Sequence, residues 1–249
     1  MCGISAIHNY LEGKGPIDKE LLGELDRLQA FRGPDGNGQY FSQQGDLGLA
    51  HRRLAIIDVT ETGAQPMISP DGRYVISFNG EIYNYKELAA ELKEAGFDRA
   101  YTSDTSVILS MYEHWGERML DKLVGMYAFI IWDEHAQSLF AARDVYGIKP
   151  LYYMDDGERV VFASRLKALA TGLRLSDEWP QDSKDAFLML GSVYEPGTVI
   201  RDIFLLPAGH LMRVDGSGVM LEQYASIGKQ LLRTDRKSTD HLPTIVKNA

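Results

Sequence analysis

The chain of 249 residues contains a single cysteine, Cys2. One cysteine cannot form an intramolecular disulfide, so the fold does not depend on an oxidising compartment, and we expect a cytoplasmic location. The sequence has no uninterrupted apolar stretch of membrane-spanning length, and no basic segment followed by an apolar one at its N-terminus. A lipid anchor on Cys2 would need a lipobox or a polybasic flank, and both are missing. We therefore expect no association with a membrane and no secretion.

Basic residues are the minority among the charged ones, with 26 Lys and Arg against 35 Asp and Glu and a net charge of −9. This charge repels a phosphate backbone unless a basic patch is segregated somewhere, and we see no such patch in the sequence. Nucleic acid is therefore not an expected partner. Hydrophobic residues make up 45% of the chain, which is enough for a sizeable core in one large domain or two small ones.

Helix signals and strand signals occur in separate blocks. Leucines at helical spacing, ended by GPDGNG, predict a helix followed by a loop (Leu21, Leu22, Leu25 and Leu28). Asn84 is placed to cap a later helix, with Glu87 as its capping-box partner. Alternating runs joined by turns such as DDG and DGSG predict hairpins in the second half. This arrangement predicts an α+β fold with antiparallel sheets, and not alternating βαβ units.

Cys2 becomes the first residue if Met1 is removed, and its thiol then lies beside a free α-amine. An α-amino group titrates near a pKa of about 7.7–8 and a thiol near about 8.5, so the amine can take the thiol proton directly or through a water. Alternatively, a lone cysteine at a chain end is a small apolar residue at the start of a strand. The N-terminal residues alone favour this structural role.

Two consecutive arginines, Arg52 and Arg53, lie in a predicted strand. One of the two side chains should face inward, and a buried unpaired cation is very costly, so that side chain needs an anionic partner. A substrate carboxylate would satisfy it in bidentate fashion, and a structural ion pair would satisfy it equally well.

The strings FNGEIYN and TSD carry further polar groups. Asn79 beside Gly80 supplies two neutral donors on a predicted bend, as an oxyanion hole requires, although Asn-Gly is also a common turn. Asp104 lies at a helix start, where it either caps the helix or binds a substrate ammonium.

Taken together and in order, these strings resemble the class II glutamine amidotransferases, and in particular the glutaminase domain of asparagine synthetase. The matching strings, which extend from Met1 to about Tyr224, are MCGI, RGPDG, RLAIID, NGEIYN, GMYAFIIWD, RDVYGIKPLYY and LPAGH. The resemblance implies a four-layer αββα sandwich of the N-terminal-nucleophile hydrolase type over residues 1–224. Residues 225–249 are then a linker and the start of a synthetase domain.

The resemblance also implies a reaction. Cys2 attacks the side-chain amide carbon of L-glutamine, expels ammonia and forms a γ-glutamyl thioester that water hydrolyses to glutamate. Asn79 and Gly80 correspond to the oxyanion-hole donors, and Arg53 corresponds to the residue that binds the α-carboxylate. The other expected substrate-binding residues are Leu54, Ala55, Ile56 and Ile57 beside Arg53, and Glu81 and Asp104 at the substrate ammonium.

No string of the form SGGxDS, the pyrophosphatase loop of the ATP-using synthetase half, occurs in the chain. We therefore expect no metal or cofactor in this chain, and ATP and Mg only in a synthetase domain or separate subunit that receives the ammonia. The chain is then either an excised N-terminal half or the product of a gene whose second half is separate or lost. The nitrogen acceptor, aspartate or another carboxylate, and a homodimer are left open.

Three positions depart from the family pattern. Phe31 replaces a usual His, Ser106 replaces a usual Glu, and Arg165 also replaces a usual Glu. They motivate the alternative of a catalytically silent domain that binds glutamine or a partner protein. A different N-terminal-nucleophile amide hydrolase would not need both Arg53 and Asp104 to meet the two charges of a free amino acid, which favours glutamine as the substrate.

Overall fold

The computed structural model describes residues 1–55, 60–176 and 178–228. Over these residues the strands are β1 (Gly3–Asn9), β2 (Gly36–Phe41), β3 (Leu47–Arg53), β4 (Met67–Ile68), β5 (Tyr74–Ile82), β6 (Gly125–Asp133), β7 (Ser138–Arg143), β8 (Tyr152–Asp155), β9 (Arg159–Ala163), β10 (Phe204–Leu205), β11 (His210–Asp215) and β12 (Gly218–Gln223). The α-helices are α1 (Lys19–Arg27), α2 (Tyr85–Glu94), α3 (Asp104–Trp115), α4 (Leu166–Gly172) and α5 (Gln181–Leu190). Short 3₁₀ helices span Ala30–Arg32, Glu61–Gly63 and Gly116–Asp121.

The described strands form two six-stranded antiparallel sheets. Their strand orders are β10-β8-β9-β1-β3-β2 in sheet A and β12-β11-β7-β6-β5-β4 in sheet B. In sheet A, Gly3 at the start of β1 lies opposite Arg52 near the end of β3. In sheet B, Gly80 near the end of β5 lies opposite Tyr127 of β6. The N-terminus therefore lies beside the chain segment that leaves β3.

Apolar side chains from both sheets form a buried layer between them. Its members alternate along the strands, as expected when one face of each strand is buried against the other sheet (Ile4, Leu49, Val75, Ile130, Phe162 and Met212 among others). Because the two inner faces share this layer, the sheets stack face to face.

Helices cover the two outer faces. Leu22 and Leu25 of α1 and Leu169 of α4 pack with Ile7 and Ala50 of sheet A. The helices α2 and α3 pack on sheet B through a second cluster (Leu88, Leu92, Ile108 and Met111 with Ile76 and Phe129). The predicted α+β fold, with four αββα layers, is confirmed.

The start of α2 shows where local sequence signals fail. Asn84 precedes the helix as predicted, but its side chain makes no capping hydrogen bond. The Asn84 amide instead donates to Lys122 O at 2.9 Å and accepts from the Val124 N–H at 3.0 Å. The capping-box prediction is therefore wrong, because a segment distant in sequence supplies better partners for this amide.

No helix in the described part of the chain has the length and apolar character that a bilayer crossing requires. Residues 229–249, which include most of the predicted linker, lie outside the described residues. The division of the chain at residue 224 stays a prediction.

Candidate active site

The thiol of Cys2 lies at a small cavity between the start of β1 and the segment that follows β3. Leu54 donates its N–H to Cys2 Sγ at 3.4 Å, and the Sγ lies 3.7 Å from Leu54 O. Burial raises the pKa of the Cys2 thiol, while the Leu54 contact and the charges of Arg32 and Arg53 act in the opposite direction. A thiol in this environment needs a base to become a nucleophile.

The cavity, of about 80 Å³, brings together every predicted site residue that the structure describes. These residues are Cys2, Arg53, Leu54, Ala55, Asn79, Gly80, Glu81 and Asp104. Ile56 and Ile57, also predicted to line it, lie outside the described residues. Met1 lines the same cavity, and burial lowers the pKa of its α-amine.

Asn79 and Gly80 lie within a strand. The predicted bend is wrong, since β5 continues through both residues to Ile82. Asn79 is 1% exposed, and its Nδ2 is buried with no hydrogen-bond partner among the described residues. A buried amide donor that lacks a partner costs free energy, and such groups in native folds call for a functional explanation.

The Gly80 N–H faces away from β6. The Asp144 N–H donates to Tyr127 O, so Tyr127 turns its backbone polar groups toward β7 and the Gly80–Tyr127 pair is of the non-hydrogen-bonded kind. On the same edge of β5, Phe78 N–H donates to Gln65 Oε1 at 2.7 Å and Ile82 N–H donates to Asp104 Oδ2 at 3.1 Å. The Gly80 donor lies between these two satisfied donors and lines the cavity.

Asp104 is the first residue of α3 and is 5% exposed. It does not cap the helix, because Ser103 does so with its side chain at 3.3 Å from Ser106 N. Burial raises the pKa of the Asp104 carboxyl, and hydrogen bonds from the Ile82 and Thr105 N–H groups partly oppose this. With Glu81 it gives one end of the cavity a negative charge.

The two neighbouring arginines have separate roles. Arg52 Nη2 forms an ion pair with Asp26 Oδ2 at 2.7 Å, and its Nε donates to Asp26 O at 3.2 Å. Arg53 lines the cavity, and its Nη1 donates to Thr60 O at 2.7 Å. Of the two alternatives that the sequence left open, the structural ion pair therefore applies to Arg52, while Arg53 lines the cavity.

The RGPDG loop holds the segments on both sides of the thiol. Arg32 Nε donates to Cys2 O at 2.8 Å, and the Ala55 N–H donates to Asp35 Oδ2 at 2.9 Å. Gly33 passes so close to β3 that an added Cβ would lie 2.3 Å from the carbonyl carbon of Arg52. The glycine is thus required by the close approach of two backbones.

Lys149 is a lining residue that the sequence analysis missed. It is 7% exposed and forms no ion pair with another described residue. Its backbone is fixed by the fully buried Asp144 carboxylate, which accepts from the N–H groups of Tyr146, Ile148 and Lys149 at 3.0 Å. The only sequence signal for it is the string RDVYGIKPLYY, in which the aspartate precedes the lysine by five residues.

The three family departures lie outside this cavity. Ser106 completes the capping box of α3 with Ser103. The Arg165 guanidinium stacks on the Phe31 ring at 4.2 Å from its centroid. Among the described residues, no group of three or more His, Cys, Asp or Glu side chains is placed to hold a metal ion.

Comparisons with known proteins agree with this geometry. Residues 1–225 match the family model of the glutamine amidotransferase domain. The chain is 39% identical over 204 residues to asparagine synthetase [glutamine-hydrolyzing] 1 of Bacillus subtilis (strain 168), covering 80% of this chain and 31% of that protein. It is 38% identical over 188 residues to amidase chry2 of Gibberella zeae, covering 72% of this chain and 28% of that protein. The chain thus spans about a third or less of the length of these relatives.

A solved structure shares the fold. Glutamine phosphoribosylpyrophosphate (PRPP) amidotransferase from B. subtilis, complexed with ADP and GMP, superimposes with a TM-score of 0.66 at 18% sequence identity. The match covers 90% of this chain and 49% of that chain.

Proposed function

Because the chain belongs to the glutamine amidotransferase domain family, we propose that it hydrolyses L-glutamine to glutamate and ammonia through a thioester on Cys2. The ammonia then serves the amidation of a carboxylate acceptor by an ATP-using synthetase domain or subunit. The observation that carries the proposal is the buried Asn79 Nδ2, which has no hydrogen-bond partner in the described part of the chain and belongs to the same cavity lining as Cys2.

The charges around the cavity support a free amino acid as the substrate. Arg53 supplies a cation for the α-carboxylate, and Asp104 with Glu81 supplies anions for the α-ammonium. A site that meets both charges of an amino acid discriminates against ligands that lack either one, since a buried charge would then be left unpaired.

Removal of Met1 prepares the nucleophile in this proposal. Met1 lines the cavity, so its loss enlarges the space and places a free α-amine on Cys2 itself. The amine takes the proton from Sγ, and the thiolate attacks the side-chain amide carbon of glutamine. Asn79 Nδ2 and the Gly80 N–H then donate to the oxygen that becomes negative in the tetrahedral intermediate.

Collapse of the intermediate completes the reaction. The carbon–nitrogen bond breaks, and the leaving group takes the proton held by the α-amine and departs as ammonia. Water, deprotonated by the same amine, then attacks the thioester carbonyl in the same oxyanion hole. This step releases glutamate and restores the Cys2 thiol.

The test is glutamate release from L-glutamine by the chain with Met1 removed, as verified by intact mass. We expect turnover in the processed wild type and none above background in Cys2→Ala. A Met1-retaining preparation should also be inactive, because the α-amine is then on the wrong residue. Absence of Cys2-dependent turnover from the processed chain would contradict the proposal. Binding of tritiated glutamine in equilibrium dialysis would then indicate a catalytically silent glutamine-binding domain.

A further inference from the structure

A second cavity, of about 850 Å³, is lined in part by Arg32, the residue whose Nε donates to Cys2 O. Its lining carries four cations, Arg32, Arg165, Lys167 and Arg174, and no carboxylate among the described residues. The volume lies within the range of ordinary small-molecule sites. The remaining lining residues are hydroxyl-bearing or apolar (Tyr152, Ser164, Thr171, Ser176, Leu166 and Ile200 among others).

These four cations are not neutralised by the described part of the protein. None of them forms an ion pair with another described residue, although the described chain contains many ion pairs elsewhere. The Arg32 Nη2 atom is buried and has no hydrogen-bond partner among the described residues. A buried guanidinium nitrogen without an acceptor is costly, and the three other cations of the lining have no anionic partner among the described residues either.

Two of the guanidinium groups also repel each other. Burial is the main cause that lowers the pKa of Arg32, and the positive charge of Arg165 lowers it further. Arg165 is held at this place by its stacking on Phe31 and by a hydrogen bond from its Nη1 to Leu28 O at 3.2 Å. The repulsion between these like charges destabilises the folded protein. A ligand with more than one negative charge would offset this repulsion.

We propose that this cavity binds a small molecule that carries a diphosphate group. The guanidinium groups of arginine and the ammonium group of lysine can donate hydrogen bonds to the oxygens of two adjacent phosphates. Hydroxyl groups in the cavity lining add further donors. Leu166, Leu175 and Val199 give the cavity an apolar side as well, which suits an attached organic group such as a nucleoside.

The site is separate from the glutamine cavity, and its existence does not depend on glutamine hydrolysis. Arg32 joins the two places, because it lines the basic cavity while its Nε donates to Cys2 O at 2.8 Å. This basic patch is not apparent in the sequence because its members come from separate segments of the chain, at residues 32, 165–167 and 174.

Isothermal titration calorimetry on the full chain, without divalent cations, tests the proposal. The probes are inorganic pyrophosphate, ADP, AMP, citrate and a hexaglutamate peptide. We expect pyrophosphate and ADP to bind more tightly than AMP and citrate, since only they place two adjacent phosphates among the cations. Tighter binding of ADP than of pyrophosphate would identify the ligand as a nucleotide, and the reverse order would identify it as the free diphosphate.

Charge-reversal variants locate the binding. Arg165→Glu and the more exposed Lys167→Glu should each weaken binding by roughly 10-fold or more, as expected for a charged hydrogen bond to phosphate. Lys93→Glu on α2 makes the same change in net charge away from the cavity and should leave binding unchanged. Thermal unfolding of each variant verifies that it is folded.

Three results would overturn the proposal. The first is no binding of pyrophosphate or ADP to the folded chain. The second is an equal loss of binding in Lys93→Glu, which would indicate a general charge effect. The third is binding of citrate or hexaglutamate at least as tightly as of the diphosphates, which would indicate a carboxylate ligand or an acidic protein surface.

Discussion

The Asp104 carboxylate accepts a hydrogen bond from the Ile82 N–H at 3.1 Å, and this contact joins the first residue of α3 to the last residue of β5. The same β5 edge carries the Gly80 donor. One carboxylate therefore helps to fix the position of the strand that carries the proposed oxyanion donors, and with Glu81 it gives the cavity its negative end.

Replacing Asp104 by Asn should raise the KM for glutamine by roughly 10- to 100-fold with a much smaller change in kcat, because the charge on the substrate ammonium loses its partner. The amide oxygen of Asn can still accept from Ile82. Because burial raises the pKa of Asp104, the wild-type KM should also rise as the pH falls and this carboxylate becomes protonated. Asp98→Asn at the exposed end of the Lys93–Asp98 pair is the matched control in steady-state assays.

Asn79→Ala should lower kcat by roughly 10²–10³-fold, the usual cost of removing one oxyanion donor. Glutamine binding, measured as KM or by dialysis with Cys2→Ala/Asn79→Ala, should change little. Asn37→Ala on β2 removes an exposed asparagine and should leave kcat as in the wild type. An Asn79 variant with full kcat would place the oxyanion hole elsewhere.

Arg52→Lys and Arg53→Lys should affect different properties, stability and glutamine binding, although the residues are adjacent. Arg53→Lys should raise the KM for glutamine, since a lysine loses the bidentate geometry toward a carboxylate. Arg52→Lys should leave the KM unchanged and lower the free energy of unfolding by roughly 1–2 kcal/mol, because a lysine cannot keep both contacts to Asp26. Urea denaturation and initial rates on both variants test this separation, and a raised KM in Arg52→Lys would contradict it.

Lys149→Met should shift the acid limb of the kcat/KM pH profile to higher pH. Burial, and then the positive charges of Arg32 and Lys149, lower the pKa of the Met1 amine. We expect Lys149 to act in the same direction on the Cys2 amine that removal of Met1 exposes, so its loss should make that amine hold its proton more tightly. An amine that is protonated at neutral pH cannot take the thiol proton, and the rate at pH 7 should fall. Lys149→Arg keeps the charge and should restore the wild-type profile, which a purely structural role would not predict.

His51 should make the fold less stable in acid. The ring is fully buried, its Nε2 donates to Phe78 O at 3.0 Å, and burial lowers its pKa from 6.5 to about 4. Between these values the unfolded chain binds a proton that the folded chain does not, so stability falls as pH falls, by up to about 1.4 kcal/mol per pH unit. In His51→Gln the part of the pH dependence of stability that comes from this ring is absent.

Urea denaturation at pH 7 and pH 5 checks this slope. His51→Gln can be less stable than the wild type at pH 7, but the difference between the two proteins must shrink by pH 5. A constant difference would mean that His51 does not titrate with the fold.

The strand and helix blocks, the α+β class and most of the described residues that line the candidate active-site cavity could be predicted from the sequence. Local patterns suffice there, because the alternation of apolar residues specifies which face of a strand is buried. Cys2, Arg53, Asn79, Gly80 and Asp104 could be named because they stand in short strings that resemble a known family.

The roles of neighbouring groups depend on contacts between distant segments of the chain. Whether Arg52 or Arg53 serves the cavity depends on Asp26, which lies on α1 and pairs with Arg52 of β3. The amide of Asn84 bonds Lys122 and Val124 instead of capping its helix, and Lys149 lines the cavity because Asp144 holds its loop. These outcomes are set by hydrogen bonds and ion pairs between residues far apart in the chain, whose energies no local pattern contains.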